Sequence, residues 1–204
     1  MKKVTSDIKS SLKIKQFQED MNGIFTTADL YHIIGAQNPI ANQRAINRLV
    51  QSNALTRVKR GLYVSDEFDL WLLAMKIKTK CYISLDSVIS KNGLAGTLSR
   101  NRISLVTLGK PQTLKIEKYR IDIFSISKEL FFGFQKNDQG ILIADNEKAF
   151  IDLLYYYNRG YKFIFDPRVE VNIDKLDLKK IEFYLKKYKN SKFIKFVKGI
   201  LYER

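Results

Sequence analysis

The chain of 204 residues carries 36 Lys and Arg against 21 Asp and Glu, a net charge of +15, and 45% of its residues are hydrophobic. That hydrophobic content supplies a packed core and excludes a disordered chain, and the length allows one large domain or two small ones. The charge calls for an anionic partner (nucleic acid, an acidic protein or a membrane surface) without choosing among them.

The first residues, MKKVTSDIKSSLKIKQ, have the positive charge of a signal peptide but no apolar stretch behind it. The longest apolar runs, around Leu70 to Met75 and Leu153 to Tyr157, are far short of the roughly 20 residues that a membrane span needs. A cytoplasmic chain with no membrane segment is expected. Ile8, Leu12, Phe17 and Met21 recur at near-helical spacing, which predicts an amphipathic helix over Ser6 to Met21, ended by Asn22-Gly23. Thr26 or Thr27 can cap a second helix through Leu30, Ile33 and Ile34, with Asp29 near its positive end and Gly35 as its stop. His32 rides on this helix with no nucleophile in reach of sequence reasoning, so a packing or surface role is expected.

Pro39 opens a third helix that runs to about Asn53, since its missing N–H is not needed in the first turn. On a helical wheel Ile46, Leu49 and Val50 point one way, and Arg44, Asn47, Arg48 and Gln51 point the other. Arg reads guanine, and Asn and Gln read adenine, so Arg44, Asn47, Arg48 and also Gln43 are the candidate base readers. Leu55 to Lys59 and Leu62 to Ser65 then read as two strands about an Arg60-Gly61 turn. This hairpin sets Arg57, Lys59 and Arg60 at or near its tip, where they can lie along phosphates. No Asp or Glu occurs from Leu30 to Ser65. The order of elements is that of a winged helix-turn-helix, and residues 1–68 are expected to form this DNA-binding domain.

Leu70 to Lys80, with Trp71, Leu72 and Met75, begins a new helix and a second domain, residues 69–204. Cys81 has no second cysteine to pair with; with one His and one Cys the chain lacks a Cys/His metal site, and Cys81 is expected to be a small core residue. Tyr82 to Ser84 reads as a strand and Leu85 to Asn92 as a helix closed by Gly93. Short β runs follow at Ile103 to Thr107, Leu114 to Glu117, Arg120 to Ser125, Leu130 to Phe134 and Gly140 to Ile143. Ala144 to Asn158 is an amphipathic helix with Ala149, Phe150, Leu153, Leu154 and Tyr157 as its inner stripe. Asp177 to Tyr188 and Ser191 to Tyr202 are two basic helices; from Lys175 to Arg204 ten Lys or Arg stand against three acids. The class is α+β, a winged helix followed by a mixed sheet-and-helix domain.

Chemistry-bearing motifs are few. No Gly-rich phosphate loop is present. Asp145, Glu147 and Lys148 have the composition of a metal-dependent nuclease set, but they fall at a helix start, where acids favour the dipole in any case. No catalytic residue, cofactor or metal is expected, and a nuclease targeted by the winged helix stands as the alternative.

The winged-helix start, RGLYV at Arg60 to Val64, YISLDSVISKNGL at Tyr82 to Leu94, ISLVT at Ile103 to Thr107 and ADNEKAFIDLLYY at Ala144 to Tyr156 resemble the AbiEi antitoxins of bacterial type IV toxin-antitoxin pairs. The resemblance covers nearly the whole chain through the order and spacing of these blocks. It implies a transcriptional autorepressor that binds double-stranded DNA repeats in its own promoter through a basic wing, here Arg57, Lys59 and Arg60. It also implies a C-terminal domain that counters a nucleotidyltransferase-type toxin, with no stable complex required. Asn146 stands where the family more usually has Pro, which softens the helix start.

Overall fold

The computed structural model describes residues 2–96 and 100–202, with side chains from residue 9 onward. It is a mixed α+β fold in two compact units, residues 1–73 and 74–204.

In the first unit, α1 (Lys2–Gln16) is followed by a short β1 (Ile24–Thr26), α2 (Thr27–Ile34), α3 (Pro39–Gln51) and a hairpin of β2 (Thr56–Lys59) and β3 (Leu62–Val64). β3 lies between β1 and β2 in a three-stranded antiparallel sheet. Thr26 resolves the choice of cap for α2: its hydroxyl accepts from the Asp29 amide at 3.2 Å, and its own amide donates to Asp29 at 2.7 Å. Gly35 ends that helix at φ 63°. Asn38 caps α3 by accepting from the Ala41 amide, with Pro39 in the first turn. Ile14, Phe25, Leu30, Ile33, Ile46, Leu49, Leu55 and Tyr63 close one apolar core that ties the three helices to the hairpin.

The expected face of α1 is corrected. Leu12 is 61% exposed and Ile14 is 2% exposed, so Ser10 and Ile14 mark the inner face. The helix ends at Gln16, and Phe17 to Met21 form turns, so Phe17 and Met21 are not on the wheel that the spacing assumed. The side chain of Ile8 is outside the described residues. β1 was not expected; three residues are too few to display a period of two.

α4 (Leu70–Ile77) carries the chain into the second unit. There β4 (Cys81–Ile83), α5 (Asp86–Lys91), β5 (Arg102–Thr107), β6 (Gln112–Ile116), β7 (Tyr119–Ser125), β8 (Phe134–Lys136) and β9 (Leu142–Ala144) precede α6 (Asn146–Tyr157), α7 (Leu178–Leu185) and α8 (Ser191–Tyr202). The six strands form one mixed sheet in the order β6-β7-β5-β4-β9-β8, with β5/β7 and β4/β9 parallel. The strand expected over Leu130 to Phe134 is instead a 3-10 turn at Lys128–Leu130 and a strand that begins at Phe134. Gly133 at φ 73° breaks the run, and Phe131 and Phe134 turn onto the ring of Tyr82 at centroid distances of 5.1 and 4.5 Å.

α6 is the centre of this unit. Ala149, Phe150, Leu153 and Leu154 are buried as expected, while Tyr157 is half-buried. Ile151, Asp152 and Tyr156 are buried too, because α5, α7, α8 and β9 all pack on this helix. A helix covered from several sides cannot show a single stripe.

Candidate nucleic-acid interface

α3 is held by Ala45, Ile46 and Leu49, all buried, and therefore turns Arg44, Asn47 and Gln51 to solvent. Gln43 and Arg48 are half-buried at the margin. Gln43 Nε2 donates to Asn47 Oδ1 at 3.0 Å, one turn apart, which fixes both amides on the same stretch of the exposed face. The inner face of the helix deepens through Asn42, which accepts from the Ala36 amide at 3.1 Å and so pins the α2–α3 link.

In the hairpin the alternation is regular. Thr56 and Val58 face inward, and Arg57 and Lys59 face outward with Arg60 exposed at the turn. The register shifts between Arg57 and Lys59, a bulge that strengthens the local twist of the tip. Gly61 at φ 78° makes the turn, and its carbonyl accepts from the Thr27 amide at 3.1 Å, which anchors the hairpin to the start of α2. The seven residues thus fall into two groups in one unit: amides and guanidiniums along α3, and three cations on the hairpin. His32 is exposed in the last turn of α2.

The second unit accounts for the acid-acid-lysine set. Asp145 caps α6 by accepting from the Lys148 amide at 2.8 Å, and its other oxygen accepts from Tyr184 Oη at 2.6 Å and lies 3.2 Å from Lys180 Nζ. Glu147 meets Lys180 Nζ at 2.9 Å and accepts from the Asp177 amide at 3.1 Å. Burial opposes the charged form of Glu147, yet Lys180 and the Asp177 amide together hold its carboxyl below the ordinary glutamate range. Burial and the bond to Asp145 push Tyr184 up to about 12.

Lys148 points away from both acids. Its ammonium is fully buried, 2.5 Å from Asp152 Oδ1, 3.3 Å from Tyr188 Oη and 4.7 Å from the centre of the Phe132 ring. The second oxygen of Asp152 accepts from Tyr82 Oη and Ser84 Oγ, both at 2.9 Å. Burial raises the Asp152 carboxyl above its ordinary range against the pull of Lys148. Asp152, Tyr82, Ser84, Tyr188 and Lys180 were not singled out in the sequence; an acid inside the apolar run AFIDLL was the available signal for Asp152. Among the described residues no group of three His, Cys, Asp or Glu side chains is placed to hold a metal ion. No helix among them is long and apolar enough to cross a membrane.

No known family's sequence model matches the chain, and no curated protein matches it. Among solved structures it is similar to the RV2827C protein from Mycobacterium tuberculosis, at 13% identity and a TM-score of 0.57, over 85% of this chain and 69% of that one. That likeness concerns the architecture alone.

Proposed function

We propose that the chain is a double-stranded DNA-binding regulator whose first unit acts as a winged helix-turn-helix. The observation that carries this reading is the joint presentation, on one acid-free stretch, of exposed Arg44 and Asn47 on α3 and exposed Arg57, Lys59 and Arg60 on the hairpin. In this reading α3 enters the major groove, where Gln43, Arg44, Asn47 and Arg48 read base edges, and the hairpin lies along the phosphates as the wing. Taken with the resemblance to AbiEi antitoxins, the regulator is an autorepressor at repeats in its own promoter. The second unit then serves as the antitoxin part against a nucleotidyltransferase-like toxin, without a stable complex. The chain works by binding, in the cytoplasm, and uses no cofactor.

The nuclease alternative draws no support from Asp145, Glu147 and Lys148, since both acids pair with Lys180 and the lysine faces Asp152. A gel-shift titration on the native upstream region tests the DNA reading. Binding is expected to exceed that of unrelated DNA of equal length, and Arg44→Ala is expected to remove about 1 to 3 kcal/mol of that preference. Equal binding to both DNAs, unchanged in Arg44→Ala, would overturn it. The antitoxin reading expects the adjacent downstream gene to encode a nucleotidyltransferase-like protein whose growth arrest the intact chain relieves on co-expression; continued growth arrest would refute it.

A further inference from the structure

On one face of the outer part of the six-stranded sheet, a buried acid holds two arginines. Arg102 on β5 and Arg120 on β7 are register partners in the parallel pair, and Asp122 lies two residues on from Arg120, on the same face. Asp122 is 4% exposed. Its carboxylate accepts from Arg102 Nε at 2.8 Å, from Arg120 Nε at 2.9 Å and from Thr113 Oγ1 at 2.8 Å. Both guanidiniums are therefore gripped through Nε, and among the described residues their Nη groups have no hydrogen-bond partner. A guanidinium held in this way keeps its two-pronged Nη edge for an oxyanion and is oriented before the anion arrives.

Both arginines line a half-open cavity of about 510 Å³, with Phe124, Tyr161 and Lys162 on its other walls. That volume is inside the range of about 300 to 1,000 Å³ of small-molecule sites. The Tyr161 ring stands edge-on to buried Phe124 at 5.2 Å and is 47% exposed, so it offers an aromatic surface to a planar ring. Three cations stand against two carboxylates, Asp122 and Asp86, the latter 3.9 Å from Arg102 Nε. The site is thus short of negative charge.

We propose that this cavity binds a mononucleotide, its phosphate across the Nη edges of Arg102 and Arg120 with Lys162 beside them, and its base against Tyr161. A tetrahedral oxyanion suits two fixed forks better than a point charge does, and the cavity has room for the sugar and ring that a bare phosphate would leave empty. The proposal is independent of the DNA reading, which concerns the other unit.

Calorimetric titration of the full chain with each of the four ribonucleoside monophosphates tests it. Saturable one-to-one binding of at least one is expected, about tenfold tighter or more than its unphosphorylated nucleoside. Arg102 is left in place because it pairs with two buried acids. Arg120→Lys keeps the charge and loses the fork, and is expected to weaken binding about tenfold; Lys162→Gln and Tyr161→Ala should weaken it as well. An unchanged far-ultraviolet spectrum and urea midpoint show that each variant is folded, and the Arg57→Ala, Arg60→Ala double variant should bind the nucleotide as the native chain does. The proposal is overturned if no monophosphate binds at millimolar concentration, if Arg120→Lys and Lys162→Gln bind as tightly as the native chain, or if only an oligonucleotide binds.

Discussion

Replacing Lys148 by Met tests whether the ADNEKA segment builds the fold. The substitution keeps the volume of a fully buried side chain and deletes the ammonium that faces Asp152 at 2.5 Å. What remains is a carboxylate with no exposure and two hydroxyl donors, Tyr82 and Ser84. Removing one partner of a buried pair costs about 3 to 5 kcal/mol, a large share of the roughly 5 to 15 kcal/mol that stabilises a domain. Part of that cost is relieved if Asp152 takes up a proton, which burial already favours, so the loss should be smaller at about pH 5 than at pH 8. Asp152→Asn, which strands the ammonium instead, should cost a similar amount. The double variant removes both charges and should be more stable than either single one. The chain supplies its own reporters: Trp71 is in the first unit, and of the 11 tyrosines only Tyr31 and Tyr63 are there. Urea unfolding followed by tyrosine dichroism therefore reads the second unit, while tryptophan fluorescence reads the first. Single variants within about 1 kcal/mol of the native chain, or a double variant as unstable as the sum of the two, would refute the reasoning.

Three further outcomes follow from the same geometry. Glu147 has a depressed carboxyl pKa, so its contribution is present above the ordinary glutamate value of about 4.3 and is lost as pH falls through the folded value; Lys180, raised by the same contact, contributes below about 10.4 and loses its contribution as pH climbs further. Lys180→Gln should accordingly lose less stability than the native chain between about pH 5 and pH 3 in thermal melts, and an identical acid limb would refute the pairing. Cys81 is buried, its thiol donates to the Lys78 carbonyl at 3.1 Å, and burial pushes it up to about 11, so a disulfide reagent at neutral pH should label it only on unfolding; rapid labelling of the native chain would contradict this. A Cβ at Gly23, where φ is 67°, would stand 1.9 Å from the Glu67 carbonyl oxygen, so Gly23→Ala should cost about 1 to 3 kcal/mol or more by tryptophan fluorescence, and a neutral result would mean that this turn yields.

The parts of the fold that were legible in the sequence are those fixed by local chemistry. Thr26, Asp29, Gly35 and Pro39 mark the ends of α2 and the start of α3 with groups that act within one turn, and Gly61 marks the hairpin. The exposed face of α3 follows from Ile46 and Leu49, whose periodicity survives because that helix is buried on one side only. Sequence reasoning failed where distant residues decide. Lys148 and Asp152, four apart on a helix, have the spacing of an exposed ion pair, and partners distant in sequence, such as Tyr82, 70 residues from Asp152, show that the pair is in the interior. Likewise Arg102, Arg120 and Asp122 alternate as strand residues do, and the parallel register of β5 with β7 is what sets them around one carboxylate.

The two units therefore call for opposite interpretations of a loss of function. Arg44, Asn47, Arg57, Lys59 and Arg60 are exposed, and the apolar core that holds α3 and the hairpin contains none of them. On the DNA reading proposed above, their substitution to Ala leaves the core intact, so changes there should move DNA affinity and its salt dependence with little change in stability. If Arg57 and Arg60 contact phosphate as proposed, removing either should reduce the slope of log affinity against log salt by about 0.9, equally for native and unrelated DNA. A slope that stays the same in both variants would mean that the hairpin does not touch phosphate. In the second unit the residues whose composition suggests chemistry are themselves the packing: Asp145 caps α6, Glu147 ties α6 to the start of α7, and Lys148 neutralises its interior. A loss of the proposed antitoxin activity in Glu147 or Lys148 variants would first report unfolding of that unit, and it bears on mechanism only in variants whose tyrosine dichroism and urea midpoint match those of the native chain.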